Sequence, residues 1–149
     1  MKIEEMIFEV RGPVIGDAQL AAAEEALGVP LPADYRGFLL LHNGGWSRLC
    51  VCEEPLVRMQ LWLSVCDATA RPICSLVKAN QNMADDLHGC FIVIGETLWN
   101  ADVLMKAGGP GSGRIGLWHP DQGTIDEIGL PFSSFQDFVH RLQHSEALF

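Results

Sequence analysis

Two stretches of this chain carry carboxylates and no lysine or arginine. Asp85, Asp86, Glu96 and Asp102 lie between Ala79 and Met105; Asp121, Asp126, Glu127 and Asp137 lie between Ile115 and His140. Trp99 and Trp118 stand beside them. Should these stretches share one side of the molecule, they create an uncompensated negative field, and an indole beside carboxylates makes a hot spot for a basic protein. The chemistry is recognition, with Asp85, Asp86, Glu96, Trp99, Asp102, Trp118, Asp121, Asp126 and Glu127 as the partner-binding candidates. A plainer reading carries equal weight: both indoles sit in the core and the acids are only solvated.

Other patterns offer less. Gly108 to Ile115 follows the spacing of a phosphate loop, but Arg114 and Ile115 replace its Lys and Ser/Thr, and a strand follows where a helix should begin. Cys50 and Cys52 offer two thiolates, but zinc needs four ligands and no second pair follows. His140 and His144 have an i, i+4 spacing that can hold a metal, yet they point away from the apolar stripe and lack the Glu of a metalloprotease motif. His119-Pro120-Asp121 fits an acid–base pair or a capped turn equally well, and a Cys nucleophile would need a His assembled in space. No G-x-S-x-G elbow is present. These patterns call for no cofactor, no metal and no catalysis. An enzyme built on His119 or a Cys stays open as a rival, tested by whether those groups converge in a pocket.

The whole chain bounds the answer further. Its 149 residues suit one domain, residues 1–149, and can bury a core without staples. A 48% hydrophobic composition with 19% charged residues is globular. No apolar run reaches the roughly 20 residues of a membrane helix. The acidic N-terminus, Met1 to Glu9, lacks a signal-peptide core, so a cytoplasmic protein with reduced thiols is expected. A net charge of −9 disfavours nucleic acid and favours basic partners, unless it only confers solubility.

The elements that must position the acids follow from periodicity. Ile3, Met6, Ile7 and Val10 are spaced for a short helix, with an edge strand as the alternative. Asp17 can cap a helix over Ala18–Leu27, with Glu24 and Glu25 solvated. Leu49 to Cys52 and Gln60 to Cys66 alternate as strands, and Ala68 to Pro72 forms a loop. Ser75 to Leu87 reads as a helix stopped by Gly89. Cys90 to Gly95 is apolar on both faces, as a covered central strand would be. Asn100–Ala107 and Arg114–His119 form a hairpin, Pro120–Gly123 a turn and Thr124–Ile128 a further strand. Ser133-Ser134-Phe135-Gln136 opens a closing helix with Phe135, Phe138, Val139 and Leu142 inward. Short links mean antiparallel pairing, hence an α+β fold: an antiparallel β-sheet flanked by N-terminal helices and a C-terminal helix.

The best-punctuated stretch is Leu27 to Gly45, LGVPLPADYRGFLLLHNGG. Gly28 closes one helix, Pro32 and Asp34 open the next, and Tyr35, Phe38, Leu39 and His42 line one helix face. Asn43-Gly44-Gly45 then breaks it. The stretch resembles the N-terminal signature of the SUKH superfamily, which includes the fungal cell-wall assembly regulator and bacterial immunity proteins that neutralise secreted toxins. The order of the later strands and closing helix is similar too. The resemblance implies a SUKH-like, non-catalytic domain that acts as an immunity protein, with a basic toxin domain, such as a nuclease, as its protein partner. A regulatory scaffold domain binding a cellular partner is the alternative that the fungal relatives suggest. Ser47–Ala70, rich in Cys and Trp, departs from the pattern. The partner's identity and the oligomeric state are not written in the sequence.

Overall fold

The computed structural model describes residues 1–66, 74–121, 123–125 and 128–145. Its first helix, α1 (Asp17–Leu27), ends on Gly28 in the left-handed conformation, φ 78°, whose N–H returns to the Glu24 and Glu25 carbonyls. Gly16, not Asp17, occupies the N-cap, and the Gln19 side chain accepts its N–H at 2.9 Å. Helix α2 (Ala33–Leu41) starts after Pro32 and buries Tyr35, Phe38 and Leu39. Glu24 is more than a solvated acid: it accepts the Leu31 N–H at 2.7 Å and pairs with Arg36. It thereby ties α1 to α2.

The turn after α2 has steric causes. Asn43, Gly44 and Gly45 all have positive φ, at 51°, 70° and 107°. A Cβ on Gly44 would strike the Leu63 carbonyl, and one on Gly45 the Val10 carbonyl. Asn43 turns its amide inward instead, donating to Pro13 O at 2.7 Å and Val65 O at 2.8 Å, and accepting the Val65 N–H at 2.8 Å. A side chain here replaces a missing ladder rung.

The sheet is a meander. Strands β1 (Phe8–Arg11), β2 (Gly45–Glu53), β3 (Leu56–Trp62), β4 (Phe91–Thr97), β5 (Asp102–Lys106) and β6 (Ile115–Trp118) lie in chain order, each antiparallel to its neighbour. A short β7 (Gln143–His144) pairs with β2 at Cys50 and Val51. Helix α5 (Phe135–Arg141) begins where Ser134 accepts the Asp137 N–H and Asp137 accepts the Ser133 N–H, a reciprocal cap. The indole of Trp62 packs against Phe38 of α2 and against Phe135 and Phe138 of α5, with ring centres 5.5, 6.2 and 6.0 Å apart. The core therefore sits between the sheet and the helices. Between β3 and β4 lie α3 (Leu76–Asn82) and α4 (Ala84–Leu87), broken at Met83 where one helix was expected. Asn80 of α3 brackets Val93, accepting its N–H at 2.8 Å and donating to its carbonyl at 2.9 Å, so it extends the sheet where β3 has ended.

Three expectations need correction. The Lys2–Val10 helix is a single 3-10 turn, Ile3–Glu5, followed by edge strand β1, because that strand completes the exposed edge of β2. The strand expected over Gln60–Cys66 is β3, displaced toward the N-terminus, since the tight turn at Glu54-Pro55 already pairs Leu56 with Glu53. Thr124, Ile125 and Ile128 form no strand; the edge of β6 pairs instead with Phe132, whose N–H and carbonyl both bond Ile115. The expected 68–72 loop falls outside the described residues. Among those described, no helix is long and apolar enough to cross a membrane.

Candidate functional site

Strand register assembles the site. On the sheet face opposite Trp62, one cross-strand row reads Trp46, Leu61, Glu96, Asp102 and Trp118, because each is registered with the next across β2 to β6. Sheet alternation is the reason: Gly95, Trp62 and Val103 are buried on the core side, while Leu61, Glu96 and Asp102 are half-exposed. Glu96 and Asp102 thus stand directly opposite each other, an arrangement that destabilises an isolated sheet. Among the described residues neither carboxylate has an ion-pair partner. Burial and the neighbouring Glu96 push the Asp102 carboxyl up to about 6, against a smaller downward pull from His119.

The next turn of chain carries the exposed apolar surface. Leu98 and Trp99, in the β4–β5 turn, are 40% and 55% exposed, and Leu56, at the start of β3, is 45% exposed. The three share one end of the sheet, since the Leu98 N–H bonds Arg58 O at 2.8 Å and Glu53 pairs with Leu56. The Arg58 guanidinium lies 5.4 Å from the Trp99 ring centre. Between this turn and the end of β6 lies a cleft of about 500 Å³ lined by Trp99, Asn100, His119, Pro120 and Asp121.

The expected residues divide accordingly. Glu96, Asp102 and Trp118 share the row, and Trp99 and Asp121 share the cleft. Trp118 is corrected as an exposed anchor: only 7% of it is accessible and its Nε1–H donates to Gly123 O at 3.2 Å, so it walls the sheet end from within. Asp85 and Asp86 are corrected as neighbours of this group. They are exposed on α4 beside the Phe91 end of β4, about 17 Å along the strand from Glu96 at roughly 3.4 Å per residue. Asp126 and Glu127 lie outside the described residues. The row also contains Trp46 and Leu61, which periodicity did not join to the acids. Bulges between Trp46 and Cys50, and between Met59 and Leu61, interrupt the two-residue alternation that would have placed them.

Cys50, His144 and His42 have structural roles, while Cys74 and Cys90 are exposed and, among the described residues, join no thiol–imidazole pair. Cys50 lies 3.9 Å from His144 Nδ1, an apparent thiol–imidazole pair. Yet the thiol is fully buried and donates to Arg48 O at 3.3 Å, and burial pushes it up to about 11, away from the thiolate a nucleophile requires. His144 accepts the Ile7 N–H through Nε2 at 3.2 Å, holding β1 to β7. His42 is buried; its Nε2 meets Ile3 O at 2.8 Å. His119 does enter the cleft, while the thiols of Cys50 and Cys52 stay buried in the core. Among the described residues no three His, Cys, Asp or Glu side chains gather as metal ligands would.

No curated protein matches this chain. Residues 15–141 match the SMI1 / KNR4 family (SUKH-1), a span running from the start of α1 to the end of α5. Members of that family are generally non-catalytic protein-binding domains. With the meander, the helical corner and the aromatic and acidic sheet end in place, the chain belongs to the SMI1 / KNR4 family (SUKH-1).

Proposed function

We propose that this protein is an immunity protein, which binds the cognate toxin of a bacterial polymorphic toxin system in the cytoplasm and blocks it without covalent chemistry. The observation that carries the reading is the Glu96–Asp102 pair, two carboxylates apposed at a half-exposed sheet end beside the exposed Trp99. Such a pair does nothing for the isolated fold, so its use lies in what it meets. A net charge of −9 extends that field over the molecule and suits a basic toxin such as a nuclease. Carboxylates speed the encounter, and Trp99 with Leu98 and Leu56 slows release.

The test is co-purification with the product of the neighbouring gene, which the immunity reading expects to carry a toxin domain, followed by toxin activity with and without this protein. The expected result is a stable complex and loss of toxin activity. In the complex, Asp121→Lys lowers the association rate about tenfold at low salt and flattens its salt dependence. A toxin that neither binds nor loses activity removes the immunity reading and leaves a scaffold for a cellular protein.

A further inference from the structure

We infer that the cleft between the β4–β5 turn and the end of β6 receives an arginine side chain from the protein partner, stacked along Trp99 and paired with Asp121. The inference rests on the immunity reading and gives that reading a specific point of contact.

The occupant follows from the walls. Trp99 offers an exposed indole, a flat apolar surface with a negative π-face. Asn100 and Asp121 place an amide and a carboxylate on the same cleft, and His119 adds an imidazole. The Asp102 carboxyl is near enough to His119 to feel its charge, and Glu96 lies across the ladder from Asp102. The carboxylates of Asp121, Asp102 and Glu96 outnumber the Arg58 cation beside Trp99, which disfavours an anion, and a neutral apolar group would leave the polar members unpaired. A guanidinium satisfies all of it, because it is planar, stacks on indole, and presents a fork of donors to carboxylate and amide oxygens. Arg58 of this chain already lies 5.4 Å from the same ring centre, which shows that the indole takes a guanidinium and that a partner's arginine must share or displace this contact. A lysine ammonium carries the charge but has no plane to lay along the ring.

The probe is a capped Gly-Gly-Arg-Gly-Gly peptide titrated into the full chain, with citrulline and lysine counterparts, followed by NMR of the indole N–H and backbone amides. The expected result is saturable shifts at Trp99, Asn100 and His119, with the citrulline peptide about tenfold weaker and lysine intermediate. Asp121→Asn and Trp99→Ala each abolish the arginine preference. Equal shifts from arginine and citrulline peptides, or shifts that survive both substitutions, overturn the inference. The neighbouring-gene toxin separates this from the reading beneath it. If the toxin binds wild type but its Kd moves less than about twofold in both variants, the cleft assignment falls and immunity stands. If the toxin binds no form of the protein, immunity falls, and the peptide shifts alone judge the cleft.

Discussion

The corner from α2 into β2 and the sheet end at the β4–β5 turn are built on opposite terms. At the corner the strained backbone and the Asn43 amide are met, although the Tyr35 hydroxyl and His42 Nδ1 are buried without a partner. Positive φ falls on Asn43, Gly44 and Gly45, the Asn43 amide is fully engaged, and Phe38 packs on Trp62 and Phe135. At the sheet end two carboxylates face each other and a tryptophan is left 55% exposed. On the proposed reading, the difference marks where folding ends and recognition begins, and a partner completes the surface that is kept against the interest of the isolated fold.

The largest expected effects lie at the corner. Phe38→Ala should cost about 3–5 kcal/mol, since the ring contacts Tyr35, Trp62 and Phe135 and its loss leaves a cavity in the aromatic cluster. Urea unfolding followed by tryptophan fluorescence reads it directly. The same measurement on Trp99→Ala should show a change within about 0.5 kcal/mol, because that indole is mostly in water. Comparable costs at the two sites would erase the distinction. Asn43→Ala should cost about 1–3 kcal/mol by leaving the Val65 N–H and carbonyl buried and unpaired.

The two regions also titrate with opposite signs. His42 at the corner is buried, with Nδ1 lacking a partner, and burial lowers its pKa from 6.5 despite the hydrogen bond to Ile3. The unfolded chain therefore takes the proton first, so the stability it contributes is present above pH 6.5 and is lost as pH falls through the folded value. Asp102 runs the other way. Its folded carboxyl keeps its proton to about 6 against 3.8 unfolded, so the stability it contributes is present below pH 3.8 and is lost as pH rises through about 6. Unfolding free energy measured across pH 4 to 8 should lose its acid-side drop below pH 6.5 in His42→Gln. In Asp102→Asn the opposing slope should vanish, and stability at neutral pH should rise by up to about 1 kcal/mol.

The sequence made one of these regions far more readable than the other. Helix signals from Leu27 to Gly45 are local: a stop at Gly28, a start at Pro32 and a stripe at Tyr35, Phe38, Leu39 and His42 all turned out as spaced. Carboxylates without neighbouring cations could also be counted along the chain. Which of them meet could not, because that depends on register. The Glu96–Asp102 pairing needs the bulge between Val93 and Gly95, and the row through Trp46 and Leu61 needs two more, none with a signature in spacing. Trp118 and Trp99 look alike beside their acids, yet one fills the sheet end and the other faces water, a difference set by the strands around them.

Asp102→Asn decides most directly whether the sheet end is held against folding for the sake of a partner. Stability and affinity for the toxin that the immunity reading proposes should be measured on the same preparation at pH 7. The expected result is a protein more stable by up to about 1 kcal/mol that binds its toxin about tenfold less tightly. A variant that is less stable than wild type, or one that binds the toxin with undiminished affinity, would show that the apposed carboxylates serve the fold and not the partner.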